Sequence, residues 1–421
     1  MPAQTIIEKL LSRHIGHMVY QGETHTFPVD FILTNDASGP LSLQYLEEME
    51  IREIPYPDRI LMVIDHYVPC PDAAVAKLQQ QLYDFAARHP VGLIPAGEGI
   101  AHQVSDELGY LKPGTLAIGG DSHTTTYGYL NCAGIGMGAS DVAMAMAQGE
   151  LWLMVPETLL VEFTGSLKPG ISGKEVALFL VSQLGAERAN YCAVEFTGSG
   201  LTALSMDDRR VICNMLAECN VKCALMPWDD VAEEYGQLRG IESKGAVAAD
   251  KGCSYREIIK VDLSSIDWLV ALPHSPYQVA ELASLGDMPI DMVLLGTCTN
   301  GRLADFVAAH RLLQDWGGAF RVETILVPAS RQIYLELIAS RLAADFLQAG
   351  AMVLPPSCGP CCGSSPGVPR NGFKVVSTAN RNFLGRMGNT TAGIYLASPL
   401  VATAAALTGR LVKPLAGGWQ V

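Results

Sequence analysis

The chain has 421 residues, 49% of them hydrophobic and 17% charged, so it buries a sizeable core and divides into two or three domains. Its formal net charge of −14, with no lysine- or arginine-rich block, excludes nucleic acid and anionic membrane surfaces as expected partners. Apolar runs such as DRILMVID are strand-length, far below the roughly 20 residues that cross a bilayer.

The amino-terminal MPAQTIIEKLLSRHIGH has helical spacing with charges throughout, unlike the compact apolar stretch of a secretory signal, and predicts a cytoplasmic protein. A recurring unit follows: a short apolar run, a polar or glycine-rich turn, then a helical pattern. ILMVIDH ends in Asp65 and His66, VGLIPAGEGIAHQ leads to His102, and TLAIGGDSHT ends in Asp121, Ser122 and His123. YCAVEFTG carries Glu195, and MVLLGTCTNGR ends in Cys298. AMVLPPSCGPCC ends in Cys358 and Cys361, and FKVVSTANRNFLGR ends in Arg381 and Arg386. Parallel sheets bind ligands beyond the carboxyl ends of their strands, where loops and helix amino termini converge. Repeated delivery of ionisable groups at such ends predicts an α/β protein with one site assembled from several units. Turn-rich stretches place domain borders near 156 and 275, giving domains 1–156, 157–275 and 276–421.

Eleven cysteines, an odd number, argue against a disulfide framework in a reducing compartment. Cys219 and Cys223 stand four apart in ICNMLAECNVKCAL and read as core residues of one helix. Cys358-Gly-Pro-Cys361 allows a redox dithiol, half of a zinc site, or part of an iron–sulfur site. The turn residues after it disfavour the dithiol, and no second pair with that spacing completes a zinc site. Cys298 supplies a third thiol at another strand end. Three thiols without an obvious fourth ligand describe a metal with an open position, with zinc and simple burial as the alternatives.

GDSHT at 120–124, GTCTNGR at 296–302, SCGPC at 357–361 and NRNFLGRMG at 380–388, in that order, resemble the aconitase superfamily. Within it the chain looks most like the large subunits of 3-isopropylmalate dehydratase and their homoaconitase relatives. GEGIAHQ and GELWLMVPET add to the match, which runs from about residue 30 to YLASPLVATAA at 395–405. The resemblance implies three doubly wound α/β/α domains around a [4Fe–4S] cluster held by Cys298, Cys358 and Cys361, with one iron open to substrate. Cys362 is then a neighbour of the cluster and not a ligand. Asp65, His66, His102, Asp121, His123 and Glu195 carry over as the carboxylate–imidazole pairs around the leaving hydroxyl. Arg381 and Arg386 offer bidentate forks to substrate carboxylates, with Ser122 and Asn380 beside them. The remaining histidines, at 14, 17, 25, 89, 274 and 310, are expected in structural roles.

Two departures qualify that expectation. Asn35 stands where aconitase carries a glutamine and the isopropylmalate enzymes usually a histidine, near the substrate, which clouds the choice of hydroxy acid. The chain stops at Val421, where single-chain aconitases continue into a mobile swivel domain, so a separate small subunit is expected to supply it. The expected function is a hydro-lyase on a small anionic 2-hydroxy di- or tricarboxylate, foremost 3-isopropylmalate in leucine synthesis. Homoaconitate, 2,3-dimethylmalate, citramalate or maleate and malate analogues are alternatives within the family. From other classes come a cluster-binding protein without catalysis, a zinc hydrolase and a thiol oxidoreductase.

Overall fold

A computed structural model describes residues 2–414. The chain end at Val421, on which the expectation of a missing domain rests, lies outside the described residues. The described chain builds three larger sheets from successive stretches of sequence.

The first sheet has five parallel strands in the spatial order Gly92–Ile94, Ile60–Val63, Phe31–Asn35, Leu116–Gly119, Ala133–Gly136. Numbered along the chain this is 3-2-1-4-5, a doubly wound order whose direction reverses between Phe31–Asn35 and Leu116–Gly119. All of its strands except the half-buried edge strand Gly92–Ile94 are buried on both faces. Phe31 and Leu33 enter one apolar cluster, while Ile32 enters a second with the amino-terminal helix Ile6–Ile15. That is why these strands read as unbroken apolar runs and not as alternation.

The second sheet follows the order Cys223–Leu225, Ala193–Thr197, Thr158–Thr164, Glu257–Asp262, all parallel. Its chain order, 3-2-1-4, is the same plan with one strand fewer. The third sheet repeats the five-strand plan. Met352–Val353, Glu323–Val327, Met292–Gly296, Lys374–Ser377 and Gly393–Leu396 run parallel, again 3-2-1-4-5. Leu269–Ala271 and Val279–Glu281 extend its far edge antiparallel.

One local expectation fails. Cys219 ends a 3-10 turn, but Asn220 adopts a left-handed φ of 56° and Cys223 opens the strand Cys223–Leu225. Asparagine tolerates that conformation, so the helix stops before the second cysteine, and both thiols are buried apart from any site.

Candidate active site

The switch points of the first and third sheets open onto the same cavity, of about 280 Å³. From the first come the loops bearing Asp65–His66, His102 and Asp121–His123. From the third come Cys298, Cys358, Cys361, Asn380, Arg381 and Arg386.

Each loop is fixed by short-range bonding. Asp36, just past Phe31–Asn35, accepts the backbone N–H groups of Asp65 and His66 on Oδ1 and that of Tyr67 on Oδ2. Asp65 then divides its carboxylate. Oδ1 takes His66 Nδ1 at 2.6 Å, and Oδ2 takes the Ala101 N–H at 2.7 Å, at the start of the helix Ala101–Glu107 that carries His102. A carboxylate at a helix amino terminus is favoured by the free N–H groups there. Asp121 caps the 3-10 segment Ser122–Leu130 in the same way, accepting the His123 N–H at 2.7 Å.

Three imidazoles converge on Asp121. His102 Nε2 lies 3.0 Å from Oδ1, His123 Nδ1 3.4 Å from Oδ1, and His66 Nε2 3.6 Å from Oδ2. Burial alone would raise the Asp121 carboxyl, but the His102 charge and bonds from both His102 and His123 hold it well below the usual carboxylate range. Burial likewise opposes a charge on His66, yet the Cys358 sulfur and Asp65 together keep the imidazole well above its ordinary pKa.

The cysteines are aimed by turns that demand particular residues. Gly296 ends its strand at φ 127°, where a Cβ would stand 2.0 Å from the Val327 carbonyl oxygen. Thr297 follows with φ 68°, rare for a β-branched residue, and Cys298 then faces the cavity. Asn380 Nδ2 donates to Cys298 Sγ at 3.3 Å, and Asn214 Nδ2 approaches it at 3.6 Å. An Arg386 guanidinium nitrogen lies 3.8 Å from Cys361 Sγ, while Arg386 Nε is buried without a partner. The Cys358 N–H donates to the Asp65 carbonyl and Ser365 Oγ to the His66 carbonyl, which pins the cysteine loop onto the histidine loop. Asp65, His66 and Cys358 offer ligand atoms within 4.8 Å of one another. Three thiols at one cavity wall, met by amide and guanidinium donors and leaving buried polar atoms unpaired, suit a group that carries negative charge on sulfur.

Glu195 is not among these residues. It sits mid-strand, two residues from either end of Ala193–Thr197, and alternation points it away from Val194 and Phe196 toward the amino-terminal helix. There it accepts the Ile7 N–H at 3.0 Å and faces the Tyr255 hydroxyl at 3.4 Å. Burial lifts its carboxyl to about 7.

The carboxylate that does reach the histidines is Glu218, which the sequence reading missed. Its Oε1 takes His123 Nε2 at 3.0 Å and Arg381 Nε at 2.7 Å. Burial would raise its pKa, but the His123 bond and the His123 and Arg381 charges bring it below the ordinary value. Glu218 follows Arg210 and Asn214 at four-residue steps along Met206–Met215 and the 3-10 turn Leu216–Cys219. Buried polar residues at helical spacing were the available signal.

Asn35 does not line the cavity. Its Oδ1 accepts the Ala37 and Ser38 N–H groups, and its Nδ2 approaches Asp121 Oδ2 at 3.4 Å, so it acts on the site through Asp121. Ser122 Oγ is bonded to Arg381 at 2.8 Å. Cys362 reaches the cavity but pairs with Ser364 Oγ at 2.6 Å.

Parallel sheets whose switch points share a cavity of thiols, imidazoles, carboxylates and arginines define the site of an α/β enzyme. The aconitase family (aconitate hydratase) pattern matches residues 8–288 and 281–409, and the chain belongs to that family. It is accordingly a hydro-lyase, and the family implies an iron–sulfur cluster. A 3-isopropylmalate dehydratase large subunit of Moorella thermoacetica is 39% identical over 415 residues, covering 97% of this chain and 98% of that protein. A large subunit 1 of Thermotoga maritima is 39% identical over 414 residues, covering 98% and 99%. A large subunit 2 of Archaeoglobus fulgidus is 39% identical over 412 residues, with the same coverage. Among solved structures, Thermococcus kodakaraensis aconitase X (holo-form) matches with a TM-score of 0.54 at 13% identity, over 90% of this chain and 93% of that one, a likeness of fold.

Proposed function

We propose that this chain is the large subunit of an isomerase-type hydro-lyase that interconverts 2- and 3-isopropylmalate by dehydration and rehydration, in the cytoplasm, as a step of leucine synthesis. The observation that carries the chemistry is the convergence of three imidazoles on Asp121, opposite three thiols and two arginines. The substrate rests on relatives of that name that match over nearly their whole length at 39% identity. All eleven cysteines are free, in keeping with a reducing compartment. Among the described residues no helix is long and apolar enough to cross a membrane.

Cys298, Cys358 and Cys361 would hold a [4Fe–4S] cluster, which when bound supplies a Lewis acid toward the hydroxyl and carboxylate oxygens of the substrate. The chain's own residues handle charge and protons. Asp65 stabilises a protonated His66, which can deliver a proton to the departing hydroxyl, otherwise a poor leaving group, while Asp121 orients His102 through Nε2. Arg386, with a buried Nε left unpaired, offers its fork to a substrate carboxylate. Arg381 is braced by Glu218 and Ser122, which orients its remaining N–H groups toward the cavity. Abstraction of the carbon-bound proton is assigned to a separate small subunit that carries the swivel domain, since the relatives are named as large subunits.

The test is an anaerobic assay of the reconstituted chain across a panel of 2-hydroxy acids, with and without its small-subunit partner, following the unsaturated acid by ultraviolet absorbance. Turnover of isopropylmalate only with both chains is expected. Turnover of a different hydroxy acid alone, or none by a cluster-loaded pair, overturns the substrate assignment.

A further inference from the structure

Lys174 stands in the first turn of the helix Gly173–Leu184 and is fully buried. Three costs meet there. Its charge has left water, and it sits at the positive end of the helix dipole, where a cation is disfavoured. Its ammonium also forms no ion pair among the described residues. It donates to two neutral carbonyls, Thr378 O at 2.8 Å and Ala379 O at 2.6 Å. Burial accordingly draws it down to about 7, opposed by charge on Cys298, Glu175 and Cys361. Glu175 bonds Ser172 through Oε2 and leaves Oε1 unpaired, and burial pushes it toward its neutral form. Asp305 also opposes the shift, but its carboxylate accepts from Asn300 Nδ2 and the Arg302 N–H. Of these groups Cys298 acts most strongly on Lys174; burial pushes its thiol up to about 11, so the sulfurs answer Lys174 fully only when a bound metal holds them as thiolates.

The two carbonyls it holds also lie on the path to those sulfurs. Thr378 and Ala379 immediately precede Asn380, whose Nδ2 donates to Cys298 Sγ and whose Oδ1 lies 3.9 Å from Cys361 Sγ. A neutral side chain of similar length would bury more cheaply at this position. A buried cation is stabilising only if negative charge arrives nearby, and three thiolates bearing an iron–sulfur cluster supply it.

We propose that Lys174 is the internal counter-charge of the cluster, a fixed cation behind Cys298 and Cys361 that raises the cluster's reduction potential and favours its retention. This rests on the reading that these cysteines hold a cluster. Lys174 does not touch substrate; it is a positioning and charge-setting residue.

The experiment compares wild type, Lys174→Met and Lys174→Gln after anaerobic reconstitution. Iron and labile sulfide are counted first, then the midpoint of one-electron reduction is measured by potentiometric titration with EPR detection. Both variants are expected to load and to show a midpoint displaced to more negative potential, because an added electron no longer meets a nearby cation. The cluster-free Lys174→Met protein is expected to melt higher than cluster-free wild type, since an unanswered buried charge is gone. Lys174→Gln retains a donor for the two carbonyls and serves if the methionine variant does not fold. A wild-type midpoint in a loaded, folded variant overturns the counter-charge. A lower melting temperature without cluster, together with that unchanged midpoint, assigns Lys174 to packing alone. Wild type that takes up no iron and sulfide overturns the cluster reading itself, and the counter-charge with it.

Discussion

Replacing Glu195 with glutamine separates its place in the fold from any place in the chemistry. Its carboxyl is raised to about 7 against an ordinary 4.5. At 1.36 kcal/mol per pH unit, that difference corresponds to about 3 kcal/mol. Between the two values the folded chain keeps a proton that the unfolded chain has released, so stability falls as pH rises through this window. Below it both states are protonated and the penalty vanishes; above about pH 8 the penalty is complete. Glutamine has nearly the same shape, still accepts the Ile7 N–H, and does not titrate. Groups that do not interact with Glu195, Lys174 among them, are common to both proteins and cancel in the comparison; Cys223, Cys253 and Tyr255, which feel its charge, have pKa values raised from their ordinary ones. Glu195→Gln should therefore match wild type near pH 4.5 and exceed it by up to about 3 kcal/mol at pH 8.5. Urea unfolding of the cluster-free proteins, followed by circular dichroism at both pH values, measures this. A stability difference that does not change with pH would refute the reasoning. So would a folded, cluster-loaded variant without turnover, which would return Glu195 to the site.

Glu218→Gln removes a charge that bonds both His123 and Arg381; with charge-assisted bonds contributing about 1.5–3 kcal/mol each, kcat/KM should fall by about two to four orders of magnitude with the cluster retained. Unchanged kcat/KM would detach Glu218 from the reaction. Cys298→Ala should prevent stable cluster assembly, and a full complement of iron and sulfide in that variant would overturn the ligand assignment. Arg381→Lys should keep the cluster but lower turnover, because an ammonium cannot bond Glu218 and Ser122 and still present a fork; steady-state kinetics of the loaded variant decide it.

The strand-end residues were legible because a doubly wound sheet writes its site into short local signals: an apolar run, then Asp65–His66, Asp121–His123, Cys298 or Arg381. The same logic overreached at Glu195. YCAVEFTG ends a strand, but the acidic residue lies in its middle, and whether such a residue faces a cavity or a helix depends on alternation that one apolar run does not reveal. Glu218 was hidden for the opposite reason. It lies in the 3-10 turn LAEC, where neighbouring leucine, alanine and cysteine read as core, and only tertiary packing brings it to His123. Asn35 was placed near the substrate by resemblance, whereas its bonds run to Ala37, Ser38 and Asp121.

The two switch points divide the labour of the site. Every thiol comes from the stretch that builds the third sheet, and every imidazole from the stretch that builds the first. On the proposed reading, holding the inorganic group and moving protons would fall to separate pieces of chain, each with its own sheet to keep its loops in register. The two sets of loops meet where the Cys358 N–H holds the Asp65 carbonyl and Ser365 holds the His66 carbonyl, so a change there reaches both. The seam where these two loops bond is then the part of the site in which neither sheet alone fixes the geometry.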